Sequence, residues 1–305
     1  MRFPFISYSK LWLAIAGIIL VASVAMLAMW RLQPGIDFTG GSLLEIGFSQ
    51  NRPVVAEVQK VIADAGFPNA LVQTSEQEDL IIRTTFLTED KHQTVLAALR
   101  KKFETKEVKI TEERFETIGA AVSKQLRERS LWAVILVSLS IIVYVGFAFR
   151  KISRPIASWK YGVIAIITLL YVVIVVSGVF AALGHFKGVE VDIAFVVAIL
   201  TVLGYSVNDS IVVYDRIREH LMKDRLDNFG ELVNTGLNET LGRSVNTVFA
   251  VLLPLFALYF FGGPSVHYFS LALLLGMAIS TIASIFIASP LLVLMEKWQR
   301  EHRRA

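Results

Sequence analysis

The chain has 305 residues, 54% of them hydrophobic, and its mean hydropathy of +0.58 is too high for an ordinary soluble domain, which points to an integral membrane protein. A formal net charge of +4 is mild; it suits a protein beside an anionic leaflet and gives no support to nucleic-acid binding. With no cysteine, disulfides and thiolate metal sites are excluded.

Leu11 to Trp30 is an uncharged apolar run of about the 20 residues that cross a bilayer, preceded by Arg2 and Lys10. A cleaved leader is the alternative, but the run is long for one, and bulky Met29 and Trp30 fit an uncleaved anchor better. A polar region follows from Arg31 to Ser130. Within it Gly41–Phe48 alternates as a strand, and Pro53–Ala65 has helical spacing through Val54, Val58, Val61 and Ile62 and stops at Gly66. Ala70–Thr74 and Leu80–Thr84 read as strands. Glu89–Phe103 reads as an amphipathic helix with Val95, Leu96, Leu99 and Phe103 on one side, and Val108–Phe115 alternates again. The order βαββαβ is that of a ferredoxin-like domain, long enough to bury a small core of its own. Ile118–Arg129 is a polar, helix-prone bridge.

Five more apolar segments follow near 131–149, 161–183, 191–214, 245–261 and 269–295. The expected fold is a six-helix membrane bundle with an inserted α+β domain. Its divisions are a first span with the N-terminus (1–34), the inserted domain (35–117), the bridge (118–130), a five-helix block (131–295) and a basic tail (296–305). Orientation follows from Lys and Arg in short loops. Arg2, Lys10, Arg150, Lys151, Arg154, Lys160, Arg216, Arg218, Lys223, Arg225, Arg243, Lys297, Arg300, Arg303 and Arg304 all gather on one side if the N-terminus is cytoplasmic. The short loops 184–190 and 262–268 then hold only Lys187. Both termini are expected inside and residues 31–130 outside.

The chemistry concentrates in the stretch from Val202 to Glu219. Asp209 stands before its apolar residues have ended, and a carboxylate at bilayer depth is costly unless it faces protein or water. Tyr205, Ser206 and Asn208 are polar neighbours, and Gly204 and Asn208 are spaced i, i+4, suited to close helix packing. Arg243 lies at the start of the fifth apolar segment. If the fourth and fifth spans are antiparallel neighbours, Arg243 sits at a depth similar to that of Asp209. A carboxylate that can take a proton, with a fixed cation nearby, is the minimal set of parts for proton-coupled movement. The structural alternatives are a static ion pair, or Arg243 pairing with Glu239. Asp192 reads as an interfacial carboxylate at a helix N-terminus, with proton access as its other reading. Gln33–Ser42, with Pro34, Gly35, Asp37, Phe38, Thr39, Gly40 and Gly41, is a tight joint in which Asp37 or Thr39 could cap backbone amides; the other reading is a docking site. Asp215, Arg216, Arg218 and Glu219 read as a solvated helix end. Pro254 and Pro290 are candidate kinks. His185 and His267 are too far apart to argue for a metal, and no Ser-His-Asp, HExxH or Walker pattern marks an enzyme.

Gly35–Gly41 after the first span, Gly204–Glu219 in the fourth and Phe261-Gly262-Gly263-Pro264 after the fifth together resemble SecF-type members of the SecD/SecF protein-export family. That family is similar in fold to one half of the resistance-nodulation-division transporters. The resemblance implies pairing with SecD, association with the SecYEG channel, and help in moving unfolded polypeptide across the bacterial inner membrane by the proton-motive force. It carries proton-transport roles onto Asp209 and Arg243, and implies no cofactor. Where many relatives have His-Asp in the third span, Tyr171 and Val172 stand here. The rival functions are a proton-coupled exporter of small apolar molecules and a non-transporting brace for the channel.

Overall fold

The computed structural model describes residues 3–50, 52–74, 79–148, 158–223 and 228–302. Of the inner-side charges named above, Arg2, Arg150, Lys151, Arg154, Arg225, Arg303 and Arg304 lie outside the described residues. The chain divides into two compact units, one of Met1–Gln33 with Trp132–Ala305 and one of Pro34–Leu131.

The first unit is helical. Among the described residues six helical stretches are long and apolar enough to cross a membrane. They are α1 (Ser9–Trp30), α5 (Ala120–Ala148), α6 (Ser158–Lys187), α7 (Ile193–Lys223), α8 (Phe229–Phe261), and a last one built from α9 (Pro264–Ala283), a π turn (Ser284–Ala288) and α10 (Ser289–His302). Several run past the apolar segments read from the sequence, because a helix ends where its backbone bonds end, not where hydropathy does. The bridge and the second apolar segment are one continuous helix, α5. The helix expected to start near residue 245 starts at Phe229, where Asn228 caps it by accepting a hydrogen bond from the Gly230 N–H at 3.1 Å. Pro254 lies inside α8 without ending it.

Packing separates these helices into two kinds. Val172, Val176 and Phe180 of α6, Ala198, Val202 and Ile217 of α7, and Ala272 and Ala283 of α9 belong to one buried apolar core. By contrast α1, α5 and α8 expose large apolar side chains, among them Ile18, Val143 and Leu253. A helix apolar all round that buries only one side in its own chain is covered by lipid or by another membrane protein. Close crossings use small residues: Gly178 of α6 meets Ser23 of α1, and Gly276 of α9 meets Val202 of α7.

The second unit holds a short helix, α2 (Ile36–Thr39), then β1 (Gly41–Phe48), α3 (Val55–Asp64), β2 (Leu71–Thr74), β3 (Leu80–Thr84), α4 (Glu89–Phe103) and β4 (Ile110–Ile118). The sheet is antiparallel in the order β2-β3-β1-β4, the ferredoxin-like arrangement. Leu44 pairs with Ile82 on one side and with Phe115 on the other, and a bulge follows Glu45. Leu44, Ile46, Val58, Ile62, Ile82, Val95, Leu96 and Leu99 make its core. Val54, counted above as part of the apolar face of the first inserted helix, is exposed, because α3 begins only at Val55.

Candidate functional site

Helical phase decides what each residue of α7 can do. Thr201, Gly204 and Asn208 recur at three- to four-residue steps and are exposed, as is Asp215 two turns further on; Val202, Ser206, Asp209, Ser210 and Val213 turn into the protein. Adjacent helix residues point about 100° apart, so Asn208 and Asp209 face different surroundings. Asp209 is 6% exposed. Its carboxyl is faced by three hydroxyls from three other segments: Ser244 of α8, Thr281 of α9 and Ser284 of the π turn. The Ser284 and Ser210 hydroxyls lie 3.0 Å apart. Asp209 Oδ2 and the hydroxyls of Tyr205, Ser206, Ser244, Ser280 and Thr281 are buried atoms that close no well-aligned hydrogen bond within the described chain.

Such a group in an apolar bundle demands a chemical reason. An isolated buried carboxylate is costly, and most are paired or neutralised. Here hydroxyls surround it, and a hydroxyl can donate to a carboxylate or accept from a protonated carboxyl. Once the hydroxyls turn into line with it, such a cage can serve either protonation state.

Arg243 is not part of this cage. It is exposed on α8, one residue before Ser244, and no carboxylate of the described residues lies within ion-pair distance of it. The direct Asp209–Arg243 contact expected from their similar depth does not form, because the same 100° step that turns Ser244 inward turns Arg243 away. Nor does Arg243 pair with Glu239, which binds Arg216 and, at 2.8 Å, His220 of α7. Arg216 also pairs with Glu219, so this helix end is an ion network joining α7 to α8 and not a solvated end alone. Arg243, Asn246 and Gly242 of α8 and Asn208, Gly204 and Thr201 of α7 are exposed. A side chain added at Gly204 or Gly242 would meet nothing within 4 Å.

The remaining sites behave more simply. Asp192 caps α7, its Oδ1 accepting from the Phe195 N–H at 2.8 Å. Val172 is fully buried and Tyr171 is partly buried on α6. In the joint, Gly35 precedes the single turn Ile36–Thr39, which carries Asp37 and Phe38, and Gly40 and Gly41 follow with φ of 73° and 116°. A Cβ on Gly41 would lie 2.5 Å from the Thr84 carbonyl oxygen, so only glycine fits there. Thr39 caps no amide: its hydroxyl donates to the Gly35 carbonyl at 3.0 Å.

Ser244, Thr281 and Ser284 were not singled out from the sequence. Hydroxyls are ordinary in membrane helices, bonding their own helix carbonyls as Ser23 does to Ile19 at 2.8 Å. The available signal was their clustering, with Ser280, Thr281 and Ser284 on one side of the last span.

The comparisons with known proteins agree with this architecture. The family model described as protein export membrane protein SecD/SecF, C-terminal, matches residues 98–298, and that of the SecD/SecF GG motif matches residues 31–51. The protein translocase subunit SecF of Thermobaculum terrenum is 42% identical over 292 residues, covering 92% of this chain and 89% of that protein. The SecF of Haemophilus influenzae is 33% identical, over 93% of this chain and 83% of its own. The protein translocase subunit SecDF of Bacillus subtilis is 32% identical over 94% of this chain but only 37% of its own length. A crystal structure of SecDF from Thermus thermophilus, described as a translocon-associated membrane protein, matches with a TM-score of 0.84 at 30% identity, over 97% of this chain and 39% of that one. The chain thus spans about two fifths of the SecDF proteins it resembles. With a family model over most of its length and SecF relatives matched nearly end to end, this multi-pass membrane chain belongs to the SecD/SecF family, as a protein translocase subunit of the SecF type and not an enzyme.

Proposed function

We propose that this chain is half of a proton-driven pair, docking on a SecD-type partner at the SecYEG channel and aiding movement of unfolded polypeptide outward. The observation that carries the proton reading is the buried Asp209 carboxyl inside a cage of hydroxyls that suits it charged or neutral. Two facts support the partner: α1, α5 and α8 leave apolar surface uncovered, and relatives exist in which the matched region is fused into a SecDF chain about two and a half times as long. Arg243 and Asn208 then face the partner, and Arg243 answers an acid supplied from that side. In this reading Asn208, Ser206, Tyr205 and Asp192 play accessory parts, and the Gly35–Gly41 joint carries motion to the inserted domain.

The uneven distribution of Lys and Arg supports cytoplasmic termini and an inserted domain on the outer side. One proton crossing 100 mV releases about 2.3 kcal/mol, so each cycle is a weak pull or a ratchet step. In proteoliposomes carrying the partner and channel, Asp209→Asn is expected to abolish proton flux and to reduce export to its level without a membrane potential. Wild-type flux and export in that variant would falsify the proposal. Because the chain has no cysteine, single introduced cysteines tested with impermeant reagents check the orientation.

A further inference from the structure

The last membrane-spanning stretch is not a regular helix. α9 runs into the π turn Ser284–Ala288 before α10 resumes, and Pro290 stands just beyond it. In an α-helix a proline supplies no N–H and its ring presses on the carbonyl four residues back, here Phe286. A widened turn ahead of Pro290 takes up that conflict without breaking the helix, and Ser284, Ile285, Ile287 and Ala288 all stay buried. Ser289 reinforces it, its hydroxyl donating to the Ser284 carbonyl five residues back at 3.2 Å.

The two sides of this turn touch different parts of the bundle. Ser284 faces α7, against Asp209 and 3.0 Å from the Ser210 hydroxyl. Phe286 faces α1 and the residues just before it, its ring centroid 4.5 Å from that of Trp12 in α1 and 5.6 Å from that of Phe5.

We propose that the π turn is the part of the bundle that reads the charge on Asp209, holding Ser284 against the carboxyl on one side and α1, through Phe286, on the other. This deepens the proton reading above and rests on it. While Asp209 is charged, Ser284 can donate to it in a charge-assisted bond, the strong kind. A proton on Asp209 removes that charge and reverses the donor. Tyr205 of α7 is the titratable neighbour; α8, α9 and the π turn present the hydroxyls of Ser244, Thr281 and Ser284. A π turn holds one residue more than the α-helical turn it replaces, and passing that residue into the regular helix on one flank rotates that flank by about 100° and shifts it by about 1.5 Å. Two discrete registers, biased by Asp209 and gripping α1, form a two-state element of the kind that coupling requires.

The test uses the full chain in lipid with its partner. Spin labels go on Ile18→Cys of α1 and Leu253→Cys of α8, which are 70% and 65% exposed. Asp209→Asn is expected to shift the label distance by about 1.5 Å or more. The same exchange made with Pro290→Ala, which frees the turn to close, or with Phe286→Ala, which releases α1, should shift it by less than half as much. A shift of the same size in all backgrounds overturns the inference, as does no shift in the parent. If Pro290→Ala fails to accumulate, Phe286→Ala decides. Proton flux is measured in parallel: flux lost without a label shift sinks only the π-turn inference, whereas flux retained in Asp209→Asn sinks the proton reading itself.

Discussion

Replacing Gly178 with alanine tests how closely α1 and α6 cross. A methyl group there would lie 2.7 Å from Ser23 Cβ, 2.8 Å from its Cα and 2.9 Å from its carbonyl oxygen. Non-bonded carbons prefer about 3.5–4.0 Å, so the helices must separate by about 1 Å. Two of the three contacts are backbone atoms, and Ser23 is held by its own bond to Ile19, so no rotamer change relieves the clash. Alanine favours a helix over glycine by about 1 kcal/mol, while overpacking costs about 1–3 kcal/mol and the parting helices also lose contacts. The clash wins, with a net loss of about 1–2 kcal/mol. Thermal unfolding in lipid nanodiscs should show a midpoint lower by roughly 2–8 °C. Gly17→Ala, on the same α1 but with nothing within 4 Å, is the control and should lose nothing. Ser23→Gly should rescue Gly178→Ala only in part, since the Cα and carbonyl contacts remain. A midpoint for Gly178→Ala at or above the parent would refute the packing argument.

Two further predictions concern the inserted domain. Gly41→Ala forces a side chain onto a φ of 116° against the Thr84 carbonyl, at a cost of about 1–3 kcal/mol; hydrogen exchange in Leu80–Thr84 should quicken, and unchanged exchange would count against it. Asp79 has its carboxyl raised above the usual range, first by burial and then by Glu113. A raised acid is penalised once it must ionise. Asp79→Asn should therefore leave stability unchanged at low pH and increase it as pH rises through the carboxylate range, the gain complete above the folded-state value. A gain already present at pH 3, or none at pH 7, contradicts that sign.

The membrane bundle and the βαββαβ unit were legible because they rest on local quantities. Apolar length marks a span, and two periodicities, 3.6 and 2, mark helices and strands. Asp209 was legible for a related reason: an acid in an apolar run is rare enough to stand out. What surrounds Asp209 was not legible. Which hydroxyl meets it depends on the rotational phase of α8 and α9 against α7, and that phase is set by contacts remote in sequence, such as Gly276 with Val202 and Gly236 with Ile217. One step of about 100° separates Ser244, which faces the carboxyl, from Arg243, which does not. Hydropathy cannot make that distinction, because Arg243 and Ser244 are adjacent and both polar. Pro290 signalled a disturbance in the last span; only packing against α1 and α7 settled that it is a buried π turn with Ser284 on one side and Phe286 on the other.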